Sequence, residues 1–158
     1  MYQRILVPVD GSETSNCGLD EAIKLAKLTG ARLRLIHSVD ALTIGAGILP
    51  TAYYDDEVPP GNKEIGEQIL EQARARAADS GVTVETLLFD SVLPRVPETV
   101  IEQAKAWKAD LIVIGTHGRR GVGRILLGSD AEQIVRKAPV PVLLVRAPEV
   151  EGKADTMV

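Results

Sequence analysis

The feature that most constrains this chain is an alternation. Short β-branched apolar runs are separated by longer segments whose apolar residues recur at helical spacing. Ile5-Leu6-Val7 reads as a buried strand, and Asp10-Gly11-Ser12 breaks it. Leu19, Ala22, Ile23 and Ala26 then share one helical face between Ser12 and Leu28, with Ser12 as N-cap and Gly30 as the stop. Residues 33–39 read as the second strand. From Asp40 to Asn62, Pro50, Pro59, Pro60 and several glycines predict an irregular surface excursion, with a lid or partner surface as the alternative. Ile65, Ile69, Ala73 and Ala77 mark a second helix that ends near Gly81. Residues 82–89 read as the third strand. Pro97 opens a third helix, whose face carries Val100, Ala104 and Trp107. Leu111–Ile114 is the clearest buried strand, followed by a glycine-rich loop over 115–128. A fourth helix is expected over 129–137 and a fifth strand over 140–145.

Strands separated by helices imply α/β architecture, an open five-stranded parallel sheet with helices on both faces. A chain of 158 residues is sized for one domain. We place that domain at 1–148, with a polar, aperiodic tail at 149–158. Pro141 cannot donate to a ladder, so the fifth strand belongs at an edge. Yet Val142-Leu143-Leu144-Val145 is apolar, and an uncovered apolar edge invites aggregation. The expected cover is a second copy, giving a homodimer through residues 140–146. Cover by the tail is the alternative.

Composition narrows the function classes. With Lys+Arg 18 against Asp+Glu 22 the net charge is −4, which argues against a nucleic-acid partner. Aromatics at 3% give no base-stacking platform. One cysteine, Cys17, excludes an internal disulfide and a Cys-based zinc cluster, and two histidines make no His-rich metal site. No apolar run approaches the roughly 20 residues that a bilayer span needs, and no leader is visible. The expectation is a cytoplasmic protein without a membrane partner.

The most informative segment runs from Gly115 to Ser129, with five glycines in fifteen residues. It lies between a strand end and a helix start, where ligands of open α/β sheets bind. Glycines admit close approach to a phosphate, helix N-termini favour anions, and Arg119, Arg120 and Arg124 add positive charge. These features describe a phosphate site. It is not a Walker A loop, because no lysine precedes Ser129. It is not the dinucleotide fingerprint, because Leu126 stands where the third glycine is needed.

The spacing Gly115-x2-Gly118-x9-Gly128-Ser129, with the opening Ile5–Ser12 and the closing Ala138–Val145, resembles the ATP-binding branch of the universal stress protein family. The resemblance covers nearly the whole chain. It implies strand order 3-2-1-4-5, a Rossmann-like fold of the adenine nucleotide alpha hydrolase type, and dimers paired at the fifth strand. It places Pro8, Val9 and Asp10 at the adenosine end and Val39 against adenine. Gly115 and Gly118 would let the chain pass near ribose and phosphates, and Gly128 and Ser129 would hold the phosphates. Thr116, His117, Arg119 and Asp130 complete the expected contact set. The cofactor implied is ATP, or ADP or AMP, with Mg²⁺ or Mn²⁺ carried on the phosphates.

Asp130 departs from the family pattern and would repel a phosphate if it pointed inward. Ser129-Asp130-Ala131-Glu132 is also a capping box, so Ser129 has a cap reading beside the phosphate reading. Asp10 has a turn-bracing reading beside ligand contact. The function implied is a dimeric ATP-binding stress-response protein in which nucleotide switches the binding of an unknown protein partner. No residue near the loop is a convincing base, so hydrolysis is expected to be slow at most and no catalytic residue is assigned. The alternatives are a nucleotide-free interaction module of the same fold and a weak ATP hydrolase.

Overall fold

The computed structural model describes residues 1–39, 60–90, 95–116 and 127–148. The strands are β1 (Arg4–Pro8), β2 (Arg32–Ser38), β3 (Val84–Phe89), β4 (Leu111–Thr116) and β5 (Val142–Arg146). The helices between them are α1 (Glu13–Thr29), α2 (Pro60–Asp79), α3 (Val96–Ala106) and α4 (Ser129–Lys137). The sheet is parallel throughout, in the order β3-β2-β1-β4-β5. Ile5 lies opposite Leu33 on one side and Leu111 on the other. The chain order reverses between β1 and β4, so a crevice opens at their carboxyl ends.

Each sheet face has its own core. Helices α1 and α2 cover one with Leu19, Ala22, Leu70 and Ala77 against Ile5, Val7, Leu33 and Leu35. Helices α3 and α4 cover the other with Val100, Ala104 and Ile134 against Leu6, Ile36 and Ile112. Burial on both faces explains why β1 and β4 read as continuous apolar runs. Helix α1 starts as expected: the Ser12 side chain accepts from the Ser15 N–H, and Gly30 closes the helix in the left-handed region. Beyond α3, Trp107 packs under the Arg34 guanidinium, 4.6 Å from the ring centroid.

Three boundaries differ from the sequence reading. Helix α2 begins at Pro60, inside the segment expected to be irregular as far as Asn62. A proline that ends a loop also suits a first helical turn, where its missing N–H is not needed. Strand β4 continues through Gly115 and Thr116, which pair with Val145 and Arg146, so these two residues are not loop. Pro141 precedes β5 instead of lying within it, and its carbonyl accepts from the Ile112 N–H at 3.0 Å. The edge position of β5 is as expected. The tail at 149–158 lies outside the described residues.

At Gly18 and Gly115, α1 and β4 approach each other closely. A Cβ on Gly18 would stand 2.9 Å from the Gly115 nitrogen, and a Cβ on Gly115 would overlap the Thr14 carbonyl. Helix and strand meet backbone to backbone, and neither position admits a side chain. Gly115→Ala should therefore destabilise the fold by about 1–3 kcal/mol, as overpacking does. Urea unfolding of the variant checks this; an unchanged midpoint would refute the contact.

Candidate functional site

The crevice is built from the ends of β1, β2 and β4 and the starts of all four helices. After Pro8, Val9 extends the ladder, its N–H donating to Ile36 at 2.8 Å. The chain then turns tightly. The Asp10 carboxylate accepts from the Ser12 N–H at 2.8 Å, and the Asp10 N–H donates to Ser15 Oγ at 3.1 Å. Asp10 thus braces its own turn, and it lines the crevice as well. Across the cleft, Gly128 leads into α4, and its carbonyl accepts from Glu132 N–H at 2.9 Å.

The result is a cleft of about 890 Å³, within the range of small-molecule sites. Of the expected contact residues, Pro8, Val9, Asp10, Val39, Gly115, Gly128, Ser129 and Asp130 all line it. Residues more than a hundred positions apart in sequence meet there. His117, Gly118 and Arg119 lie outside the described residues. Thr116 does not line the cleft: it is buried, and its hydroxyl donates to the Val145 carbonyl at 3.3 Å, tying β4 to β5. The absence of a side chain on Gly115 is required by the Thr14 backbone, a structural reason that the glycine spacing did not reveal.

The capping box at Ser129 does not form. Gly128 is the N-cap and has no side chain to cap with, and Ser129 is the first helical residue. The local signature requires Ser129 to sit one step before the helix, and the chain enters the helix one residue earlier than that. Ser129 and Asp130 are exposed at the cleft rim. Asp130 and Glu132 place acidic charge in the first turn, which suits the helix dipole.

Several lining residues carried no sequence signal. His37 enters from β2, Asn62, Ile65 and Ile69 from α2, and Val96, Thr99 and Val100 from α3. Their arrival depends on how the helices dock. Gly66 sets one docking: a Cβ there would lie 2.8 Å from Leu88 Cδ1 and 3.0 Å from both His37 Cδ2 and Val39 Cγ2. Helix α2 therefore sits low against the ends of β2 and β3 and brings Ile65 and Ile69 to the cleft wall. Among the described residues, no group of three or more His, Cys, Asp or Glu side chains could hold a metal ion. Among them too, no helix is long and apolar enough to cross a membrane.

The sequence profile of the universal stress protein family matches residues 1–146. The chain belongs to the universal stress protein family. A universal stress protein of Methanocaldococcus jannaschii is 35% identical over 151 residues, covering 96% of this chain and 86% of that protein. A family member from Burkholderia pseudomallei, solved by crystallography, superposes with a TM-score of 0.71 at 34% identity, covering 92% of this chain and 97% of that one. A universal stress protein solved in complex with cAMP superposes with a TM-score of 0.67 at 27% identity, covering 92% and 98%. The family assignment agrees with the strand order and with the reversal between β1 and β4.

Because Ser129 caps nothing, Ser129→Ala should change stability by less than about 0.5 kcal/mol, whereas loss of a true N-cap costs about 1 kcal/mol. Denaturant unfolding distinguishes the two, and a loss of about 1 kcal/mol would restore the capping role.

Proposed function

We propose that the cleft binds an adenine nucleotide and that its occupancy switches the binding of a protein partner. The observation that carries this reading is the meeting of the Asp10 turn with the start of α4 across one cleft. A helix start with glycine at its N-cap turns backbone N–H groups and a positive dipole end toward a phosphate. The solved relative that holds cAMP supports an adenine nucleotide as the ligand class. In this reading Val9, Val39 and Asp10 serve the adenosine end, and Gly128 and Ser129 the phosphates. Gly118 and Arg119 belong to the phosphate side on the strength of the glycine signature alone.

The donor set fits ATP, ADP or AMP. Mg²⁺ or Mn²⁺ carried on the phosphates would offset the Asp130 carboxylate at the rim. Efficient hydrolysis is not supported. Among the described cleft residues, Asp10 has its carboxylate engaged with the Ser12 N–H, and no histidine stands at the α4 start. Binding with at most slow turnover follows. We further propose that two copies pair through β5, an edge strand that leaves Leu144 39% exposed. The protein would work in the cytoplasm.

The test is to denature protein purified without added nucleotide, identify what is released, and titrate the stripped protein with AMP and ATP, with and without Mg²⁺, by calorimetry. Saturable binding near one nucleotide per chain is expected. No release and no binding heat would leave the fold as a nucleotide-free interaction module.

A further inference from the structure

We propose that His37 reads the base: its Nε2 accepts a hydrogen bond from the exocyclic amino group of an adenine held in the cleft. This rests on the adenine-nucleotide reading above and adds the residue that sets its base preference.

The first observation is a fixed tautomer. His37 Nδ1 lies 2.7 Å from the Val9 carbonyl oxygen. A carbonyl only accepts, so Nδ1 carries the proton and donates it. The neutral ring is then left with a lone pair on Nε2, which can only accept. The second observation is access. His37 lines the cleft and is half-buried. Among the described residues Nε2 meets no hydrogen-bond partner, and the buried side-chain atoms left unpartnered are Arg34 Nε and Glu98 Oε2, not Nε2. The acceptor therefore opens to the cleft.

The third observation is rigidity. The Val9 hydrogen bond holds one edge of the ring, and Gly66 of α2 lies close against Cδ2, leaving no room for a methyl group. The ring is held between the Val9 carbonyl and the Gly66 backbone. Val9, Val39, Ile65 and Ile69 line the same cleft. Ile65 is 46% exposed, an apolar side chain left at the cleft wall where a flat ring would cover it. An apolar slot with one fixed acceptor fits a heteroaromatic base that presents an N–H donor. The slot lies at the end of β2, and the α4 start lies beyond β1, at β4. Strands two places apart are separated by roughly 10 Å, a span that an extended nucleoside monophosphate bridges.

The experiment compares dissociation constants for AMP and for purine riboside 5′-monophosphate, which lacks only the amino group. The parent should prefer AMP by about tenfold or more, because a site built to pair a polar group rejects the analogue without it. His37→Asn keeps an amide N–H for the Val9 carbonyl but has nothing at the Nε2 position, so its preference should fall below about twofold. His37→Gln extends an amide to the Nε2 position and should recover part of the preference. The ratio of two constants on one sample does not depend on the folded fraction, so weakened folding cannot mimic the result. A parent that binds AMP without preferring it overturns the role of His37 alone, as does a His37→Asn variant that keeps the preference. A parent that binds neither nucleotide overturns the adenine reading and this inference together.

Discussion

The cleft depends on one contact, the backbone-to-backbone crossing of α1 over the end of β4. Gly18 and Gly115 carry no side chains there, and the Thr14 carbonyl occupies the space that a Cβ on Gly115 would need. That crossing fixes the start of α1, and with it the Asp10–Ser12 turn. The turn is braced internally by Asp10, Ser12 and Ser15, so it presents a defined wall. Gly66 does the same work on the other side, letting α2 settle against His37 and Val39. Two close approaches thus set the walls of one crevice, at the point where strand order reverses.

The fold was largely legible in the sequence because it follows from periodicity. Runs such as Ile5-Leu6-Val7 and Leu111–Ile114 admit only doubly covered strands, and the helical spacing between them dictates parallel crossovers. The edge placement of β5 was read from Pro141 and holds, although Pro141 precedes the strand. Boundaries were harder where a residue suits two roles: Pro60 both ends a loop and opens α2. Residues read as members of one loop, Gly115 and Thr116, extend β4, because pairing with β5 is a long-range matter that local glycine content does not report.

The site was legible only in part, and the division has a physical basis. Asp10 and Ser129 could be placed because each sits at a strand–helix junction, and such junctions face the ligand side of an open sheet. Their detailed roles could not be read. Asp10 proved to brace its turn while lining the cleft, and Ser129 proved to lie one step too far into α4 to cap it. His37 was missed because nothing local distinguishes it from a strand histidine in the core. Its significance comes from the Val9 carbonyl and from the depth of α2, both fixed by tertiary packing. A walled, mostly apolar cleft with a polar turn at one end and a helix start at the other is built to hold a ligand.

The most direct test of this account is a titration of uniformly ¹⁵N-labelled protein with AMP, followed by amide chemical shifts. The account predicts that the largest shifts fall on Asp10–Ser12, Val39, Gly115 and Ser129–Asp130, while the far end of α1 near Lys27 stays still. Shifts confined to other surfaces, or none at saturating AMP, would contradict it.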